Sequence, residues 1–410
     1  MSSRPTIKLA VVISHPIQYF APLFKRLAGL AEIDLTVLYS SSIGASRYRD
    51  PAFGTTFAWD LPLLDGYVHK VMHNLGRAQR NRFFSYTSPA VFGELWRGRY
   101  DAVIVFGWGD ATSWCALAAA RLGRIPYLLY GDTNPLYEAE KPPLKRFVRA
   151  RVLGRMFKGA AAILATGSLN REFYRSHGVP MDKCFNVPLA VDNGYFEERA
   201  AIAQERREEV RKRYSIPLKC VLVLFVGKLE THKRPQDVLT AVAALRARFK
   251  WLGAAFAGDG ELKGALEAKA ARQGLKDIFF LGFRNQSELP EIYAIADMLV
   301  LPSASEARGL VVNEAMACGL PVIVSDRTGV WGEGDMVRAG ENGFVYPCGD
   351  TFALAGMVGR LAGDSKLRER MGQRSREIIQ EFGYDSCVLG ILEALTHVGY
   401  RRVAKAWVCS

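Results

Sequence analysis

The stretch Val221-Leu-Val-Leu-Phe-Val-Gly-Lys-Leu229 holds six apolar residues in a row, then a glycine and a lysine. An apolar run of that length without polar alternation reads as a strand covered on both faces, the pattern of a parallel sheet packed between helices. A helical pattern follows at Pro235–Lys250. Outward from this point the same alternation repeats at Ala254–Gly258, Ile278–Phe283, Met298–Ser303, Pro321–Asp326 and Gly343–Cys348, with Leu262–Gly274 and Ser287–Ala296 helical in pattern between them. An earlier series reads Leu9–Ser14, Asp34–Ser40, Ala102–Gly107, Tyr127–Gly131 and Ala161–Gly167. Strand–helix–strand order gives parallel sheets with right-handed crossovers. The expected class is α/β: two doubly wound, Rossmann-like domains, residues 1–195 and 196–385, facing each other across a cleft. The segment Asn193–Ile216 reads as a connector plus the start of the second domain. A tail, 386–410, has helical periodicity (Val388, Ile391, Leu392, Leu395) that does not reveal where it docks. In such sheets ligands gather at the carboxyl ends of the strands.

Composition agrees with two ordinary globular domains. The chain has 410 residues, 49% hydrophobic and 23% charged, which excludes global disorder and fibrous repetition. The apolar segment Leu9–Phe24 contains His15, Gln18 and two prolines and is too short to span a bilayer as a helix. It also lacks a secretory pattern, so a cytoplasmic protein is expected. Seven scattered cysteines without a C-x-x-C pair point to reduced thiols and away from a disulfide framework or structural zinc. A formal net charge of +13 suggests anionic partners without choosing among them.

The strongest chemical signal is Glu306-Ala-Arg-Gly-Leu-Val-Val-Asn-Glu314, directly after the strand ending Pro302-Ser303. If a helix starts near Gly309, then Leu310 and Val311 present backbone N–H groups at its N-terminus, a ready phosphate site. Gly309 lets a ligand approach the backbone closely. In the loop after Gly227, Lys228 and Lys233 add two mobile positive charges suited to phosphate. Carboxylates for hydroxyls, with cations and a helix end for a diphosphate, make the inventory for a nucleotide sugar. Gly258-Asp-Gly260 with Gly264 is one place out of register for a dinucleotide fingerprint and fits better as a glycine-rich turn near the donor.

Taken together, Gly227-Lys-Leu229 with Lys233, Gly258-Asp-Gly260, Ala296-Asp297, Pro302-Ser303, the Glu-x7-Glu pair, Glu314-Ala-Met-Ala-Cys-Gly-Leu-Pro-Val-Ile323 and Gly340-Glu-Asn-Gly343 resemble family-4 retaining glycosyltransferases of the GT-B fold. The match is dense over about residues 220 to 385 and thinner through Ala165–Ser168 and Val187–Asp192. The resemblance implies that Lys228 and Lys233 neutralise the donor diphosphate, that Glu306 holds donor-sugar hydroxyls and that Glu314 holds the ribose. Gly309 and Leu310 would bind phosphate through N–H groups. Base recognition, of a UDP- or GDP-linked sugar, would fall near Phe283 and Arg284. Lys228 replaces the family's usual arginine. Arg308 stands where an aromatic residue is common and would be a further cation near the phosphates or would face solvent. The resemblance also implies retention of configuration, with no cofactor required beyond the nucleotide-sugar co-substrate. No metal set is visible among the histidines, so activity should survive a chelator.

The first domain departs further from that family. Ser14-His15-Pro16 replaces a Gly-Gly turn, which makes His15 a candidate sugar or acceptor contact. Phe106-Gly-Trp108 replaces a histidine that approaches the sugar's 6-hydroxyl. Phe106 and Trp108 become candidate contacts, and the donor sugar is expected to lack an ordinary 6-hydroxyl or to have it read elsewhere. From Lys141 to Lys158, ends included, there are seven basic residues and no acidic ones, interleaved with Leu144, Phe147, Val148 and Val152. Such a helix suits either an anionic membrane face or plain solvent, and Arg77, Arg80 and Arg82 would add to its charge. No nucleic-acid module is recognisable. The function implied is transfer of a sugar from a nucleotide sugar to a saccharide or lipid-linked hydroxyl. The rivals are a nucleotide-sugar epimerase of the same architecture and a non-catalytic sugar-nucleotide binding protein.

Overall fold

The computed structural model describes residues 6–45, 48–49, 56–57, 59–78, 82–136 and 142–400. Arg80 and Lys141 of the basic segments lie outside them. The described residues form two compact units, one built from those up to Leu189 together with 384–400, the other from Ala190–Gly383.

In the first unit, strands β1 (Ile7–Ile13), β2 (Ile33–Tyr39), β5 (Val68–Val71), β6 (Ala102–Phe106), β7 (Tyr127–Gly131), β8 (Ala162–Ala165) and β9 (Cys184–Asn186) form one parallel sheet, ordered β5-β2-β1-β6-β7-β8-β9. A separate antiparallel pair joins β3 (Tyr48–Arg49) to β4 (Thr56–Phe57). The apolar side chains of β1 and β6–β8 are almost wholly buried, as their unbroken runs require. The tail forms a helix, Tyr384–His397, which packs on this unit. Tyr384 donates its hydroxyl to Tyr19 O at 3.0 Å, and Asp385 pairs with Arg26 at 2.5 Å.

In the second unit, β10 (Val221–Val226), β11 (Leu252–Ala257), β12 (Ile278–Gly282), β13 (Met298–Leu301), β14 (Val322–Ser325) and β15 (Gly343–Tyr346) are ordered β12-β11-β10-β13-β14-β15. Sequence order therefore reverses between β10 and β13, and that is where a doubly wound sheet opens a crevice beyond its strand ends. Asp297 fastens this pair of strands at the other end. Its Oδ2 accepts the Leu222 N–H at 2.7 Å and the Arg211 guanidinium at 2.9 Å, while Arg207 reaches Oδ1 at 3.0 Å. The presumed connector is more structured than its Glu-Arg-Ala composition suggests. It forms helices Asn193–Glu205 and Arg207–Arg213, whose Phe196 and Val210, with Ile216, are buried in the core of the second unit.

Candidate active site at the switch point of the second sheet

The loop after β10 is shaped by backbone constraints. Gly227 and Gly258 both have positive φ, and a Cβ on Gly258 would sit 1.9 Å from the Gly227 carbonyl oxygen. Only glycine allows these two loops to lie so close. Past Leu229 the chain makes a short turn, Thr231–Lys233, closed by Arg234 in the left-handed region at φ 52°. Such a conformation is costly for a residue with a side chain. It is held by Arg234, whose guanidinium grips buried Asp237 through two bonds of 2.6 and 3.1 Å. Lys233 is thereby presented in a fixed direction.

Beyond β13 the chain passes Pro302-Ser303 and reaches Glu306. Its backbone is laced to the turn after β14: the Glu306 N–H donates to Arg327 O at 3.2 Å, and the Gly329 N–H donates to Glu306 O at 2.9 Å. The Glu306 carboxylate forms an ion pair with Lys233 Nζ. The loops are tied a second time by the Ala304 N–H, which donates to His232 O at 2.8 Å. One sequence-predicted cation and one predicted carboxylate, 73 residues apart, thus meet across the switch point. Lys228, partly buried, lies on the same loop as Lys233.

The helix Leu310–Ala317 begins at Gly309, whose added Cβ would stand 2.5 Å from Leu301 Cδ2 and 3.6 Å from Glu306 Cγ. The first N–H groups of this helix, on Leu310 and Val311, have no carbonyl one turn back within the helix. Glu314 is one turn further in and buried. Tyr293 donates its hydroxyl to Oε2 at 2.6 Å, and Gln286 Nε2 donates to Oε1 at 3.1 Å. Burial pushes its carboxyl up to about 7, against the opposing pull of the two hydrogen bonds. A carboxylate has about four acceptor sites, so these two bonds do not exhaust its acceptor capacity. Tyr293 and Gln286 were not singled out from the sequence. The one cue was, for Tyr293, a phenol hydroxyl within the apolar stretch Ile292–Ala296.

Three predicted contacts are placed otherwise than expected. Arg308 neither faces solvent nor lies open beside the helix end: it is buried, its Nη1 bound to Gly329 O at 2.6 Å and to both oxygens of Asp335 at 3.1 Å. Phe106 is enclosed by the rings of Phe20, Phe24 and Tyr130, with centroids 4.8, 5.7 and 4.7 Å away. Trp108 packs on Phe157 and Phe173 in the first unit's core. Both aromatics serve packing. Arg284 is also committed, with Nη1 on Glu288 at 2.9 Å and Nη2 on Leu281 O at 2.6 Å, while Phe283 beside it is partly exposed. His15, just past β1, lies at the corresponding reversal of the first sheet. Burial holds its pKa down at about 4, so the ring is neutral near pH 7. Ser14 Oγ lies 2.9 Å from its Nδ1, and Tyr86 stacks on it at 5.5 Å.

A cavity of about 610 Å³ in the second unit opens at the opposite, amino ends of β13 and β14. Arg207, Asp297, Gly319, Arg368 and Arg376 line it, and none of the predicted site residues does. Among the described residues, no helix is long and apolar enough to cross a membrane, and no three His, Cys, Asp or Glu side chains are placed to share a metal ion.

Two family models match side by side: a glycosyl transferase 4-like domain over residues 19–190, and glycosyl transferases group 1 over residues 206–378. The alpha-D-kanosaminyltransferase of Streptomyces kanamyceticus is 27% identical over 241 residues, covering 58% of this chain and 60% of that protein. The D-inositol 3-phosphate glycosyltransferase of Xylanimonas cellulosilytica is 29% identical over 248 residues, covering 60% and 58%. The chain thus spans about three fifths of the length of these relatives. A crystal structure of Anabaena Alr3699/HepE in complex with UDP has the same fold, with a TM-score of 0.71, 17% identity, and 95% and 99% of the two chains covered. The Glu-x7-Glu pair on a switch-point loop and helix, the two adjoining family matches and the shared architecture together make this chain a member of the family-4 glycosyltransferases of the GT-B fold.

Proposed function

We propose that the protein transfers a sugar from a nucleotide-sugar donor, UDP- or GDP-linked, to a hydroxyl of a saccharide or lipid-linked acceptor, with retention of configuration. The observation that carries this reading is the Lys233–Glu306 ion pair at the switch point, beside the N-terminus of the Glu314 helix. Glu306 holds donor-sugar hydroxyls. Lys228, Lys233 and the N–H groups of Leu310 and Val311 hold the diphosphate, and Glu314 holds the ribose. The bond from the anomeric carbon to the phosphate oxygen breaks through an oxocarbenium-like transition state. The acceptor oxygen bonds that carbon from the same face, and its proton passes to the departing phosphate. Catalysis is stabilisation of the charge growing on the leaving group. His15, neutral and seated at the end of β1, serves sugar or acceptor hydroxyls.

The test is nucleotide release from a panel of UDP- and GDP-sugars with and without saccharide acceptors, with the anomeric configuration of the product read by NMR. Acceptor-dependent release and a retained anomer are expected. Epimerised sugar from donor alone would support an epimerase, and binding without any turnover would support a plain sugar-nucleotide binder.

The acceptor side of this reading includes an anionic membrane face. The helix Pro143–Gly159 buries Leu153, Met156 and Phe157 in the first unit, yet exposes a second apolar stripe, with Leu144 at 75%, Phe147 at 59%, and Val148 and Val152 beside them. Arg146, Arg149, Arg151 and Arg155 alternate with that stripe and suit anionic headgroups. Sedimentation with phosphatidylglycerol vesicles should show binding that weakens with salt and falls at least tenfold in Phe147→Ser/Val148→Ser. Equal binding to neutral vesicles, or none, would reject the lipid surface.

A further inference from the structure

Arg308 and Asp335 form an ion pair whose side chains are 3% and 0% exposed. Both belong to segments that embrace Glu306. The Gly329 N–H holds the Glu306 carbonyl, and the Gly329 carbonyl accepts Arg308 Nη1. Asp335, which receives the same Nη1, also accepts the Met336 N–H at 2.9 Å, and the Val337 N–H closes the segment on Val330 O at 2.9 Å. Arg308 therefore grips residues 329 and 335 together and draws the 327–337 segment onto the loop that carries Glu306.

Stability does not account for the pair. A buried ion pair gains little over apolar side chains of the same volume. Arg308 Nε and Nη2 are also buried without an acceptor among the described residues, which costs further free energy. What such a pair supplies is fixed geometry around a group that must point one way. We infer that Arg308 and Asp335 are positioning residues for the donor-sugar grip: through Gly329 they set where the Glu306 carboxylate lies. The inference rests on the donor reading above.

The decisive variant removes both charges. Arg308→Met alone would strand a buried aspartate and should fold poorly, whereas Arg308→Met/Asp335→Leu leaves no unpaired charge. The probes are UDP and UDP-glucose, or GDP and GDP-mannose, whichever pair raises the melting temperature of the wild type. The double variant is expected to fold and to bind the free nucleoside diphosphate within twofold of wild type. It should lose at least tenfold in kcat and at least fivefold of the extra affinity contributed by the sugar. Wild-type kcat and sugar affinity in the double variant would overturn the inference. So would an equal loss of nucleoside diphosphate affinity, or failure to fold, since the pair would then support the whole loop. Glu306→Gln separates the two levels: normal turnover there would overturn the donor reading itself, whatever the double variant does.

Discussion

Glu306→Gln and Lys233→Met are each expected to lower turnover by a factor on the order of 10²–10³, the loss typical when one preorganised group stabilising a transition state is removed. The structure adds a sharper expectation. Lys233 and Glu306 are paired directly, so the groups act as one unit and their losses should not add. The double variant Lys233→Met/Glu306→Gln should be little slower than the worse single. Both side chains retain some exposure, 22% and 17%, so folding should survive each change. Steady-state kinetics with saturating acceptor, beside a melting curve for each variant, measure this. Multiplying losses would mean that lysine and glutamate work at separate points. Near-normal turnover in either single variant would remove it from the site.

Glu314→Gln is expected to raise stability at pH 8 and to leave it nearly unchanged at pH 5. Burial lifts the folded-state pKa from 4.5 to about 7. The unfolded carboxyl ionises near 4.5, so between these values the folded state binds the extra proton. Stability therefore falls as pH rises from about 4.5 to 7 and is flat above. The penalty at pH 8 is about 3 kcal/mol, because each pKa unit is worth about 1.4 kcal/mol and the group is buried. The glutamine carries no charge and escapes it, while Tyr293 can turn its hydroxyl to accept from the new amide. Melting temperatures of the two proteins should separate by several degrees at pH 8 and converge at pH 5. A constant gap across that range would place the carboxyl in water. The same variant should bind donor more weakly, since an amide accepts fewer ribose hydroxyls than a carboxylate.

Much of this was legible in the residues. Several central strands announced themselves as apolar runs, because burial on both faces leaves no polar alternation to misread, while β2 carries Asp34 and Thr36 within its run. Besides the short antiparallel pair β3 and β4, the strands that went unread are β5, Val-His-Lys-Val, and β9, Cys-Phe-Asn. Each lies at an edge of the first sheet, short and partly solvated, where no apolar run is required. Helices 193–205 and 207–213 fall in the stretch whose Glu-Arg-Ala composition reads as a connector plus the start of the second domain, because their buried apolar residues are few. At the site, spacing could place Glu306 on a loop and Glu314 in a helix, since one glycine separates the two states. It could not show which partner each side chain takes. For Arg308 spacing left a cation near the phosphates or a solvent-facing side chain, and neither includes its counter-charge, Asp335, 27 residues away. Phe106 and Trp108 became candidate contacts because they occupy the place of the histidine in the resembling family, and the aromatic neighbours that enclose them come from four other segments of the chain.

The most direct test is a crystal structure of the protein with the nucleotide sugar that stabilises it most. The diphosphate should lie against the N–H groups of Leu310 and Val311 within reach of Lys228 and Lys233, with the sugar on Glu306 and the ribose on Glu314. A diphosphate seated instead among Arg207, Arg368 and Arg376, in the cavity at the other end of the sheet, would contradict the account.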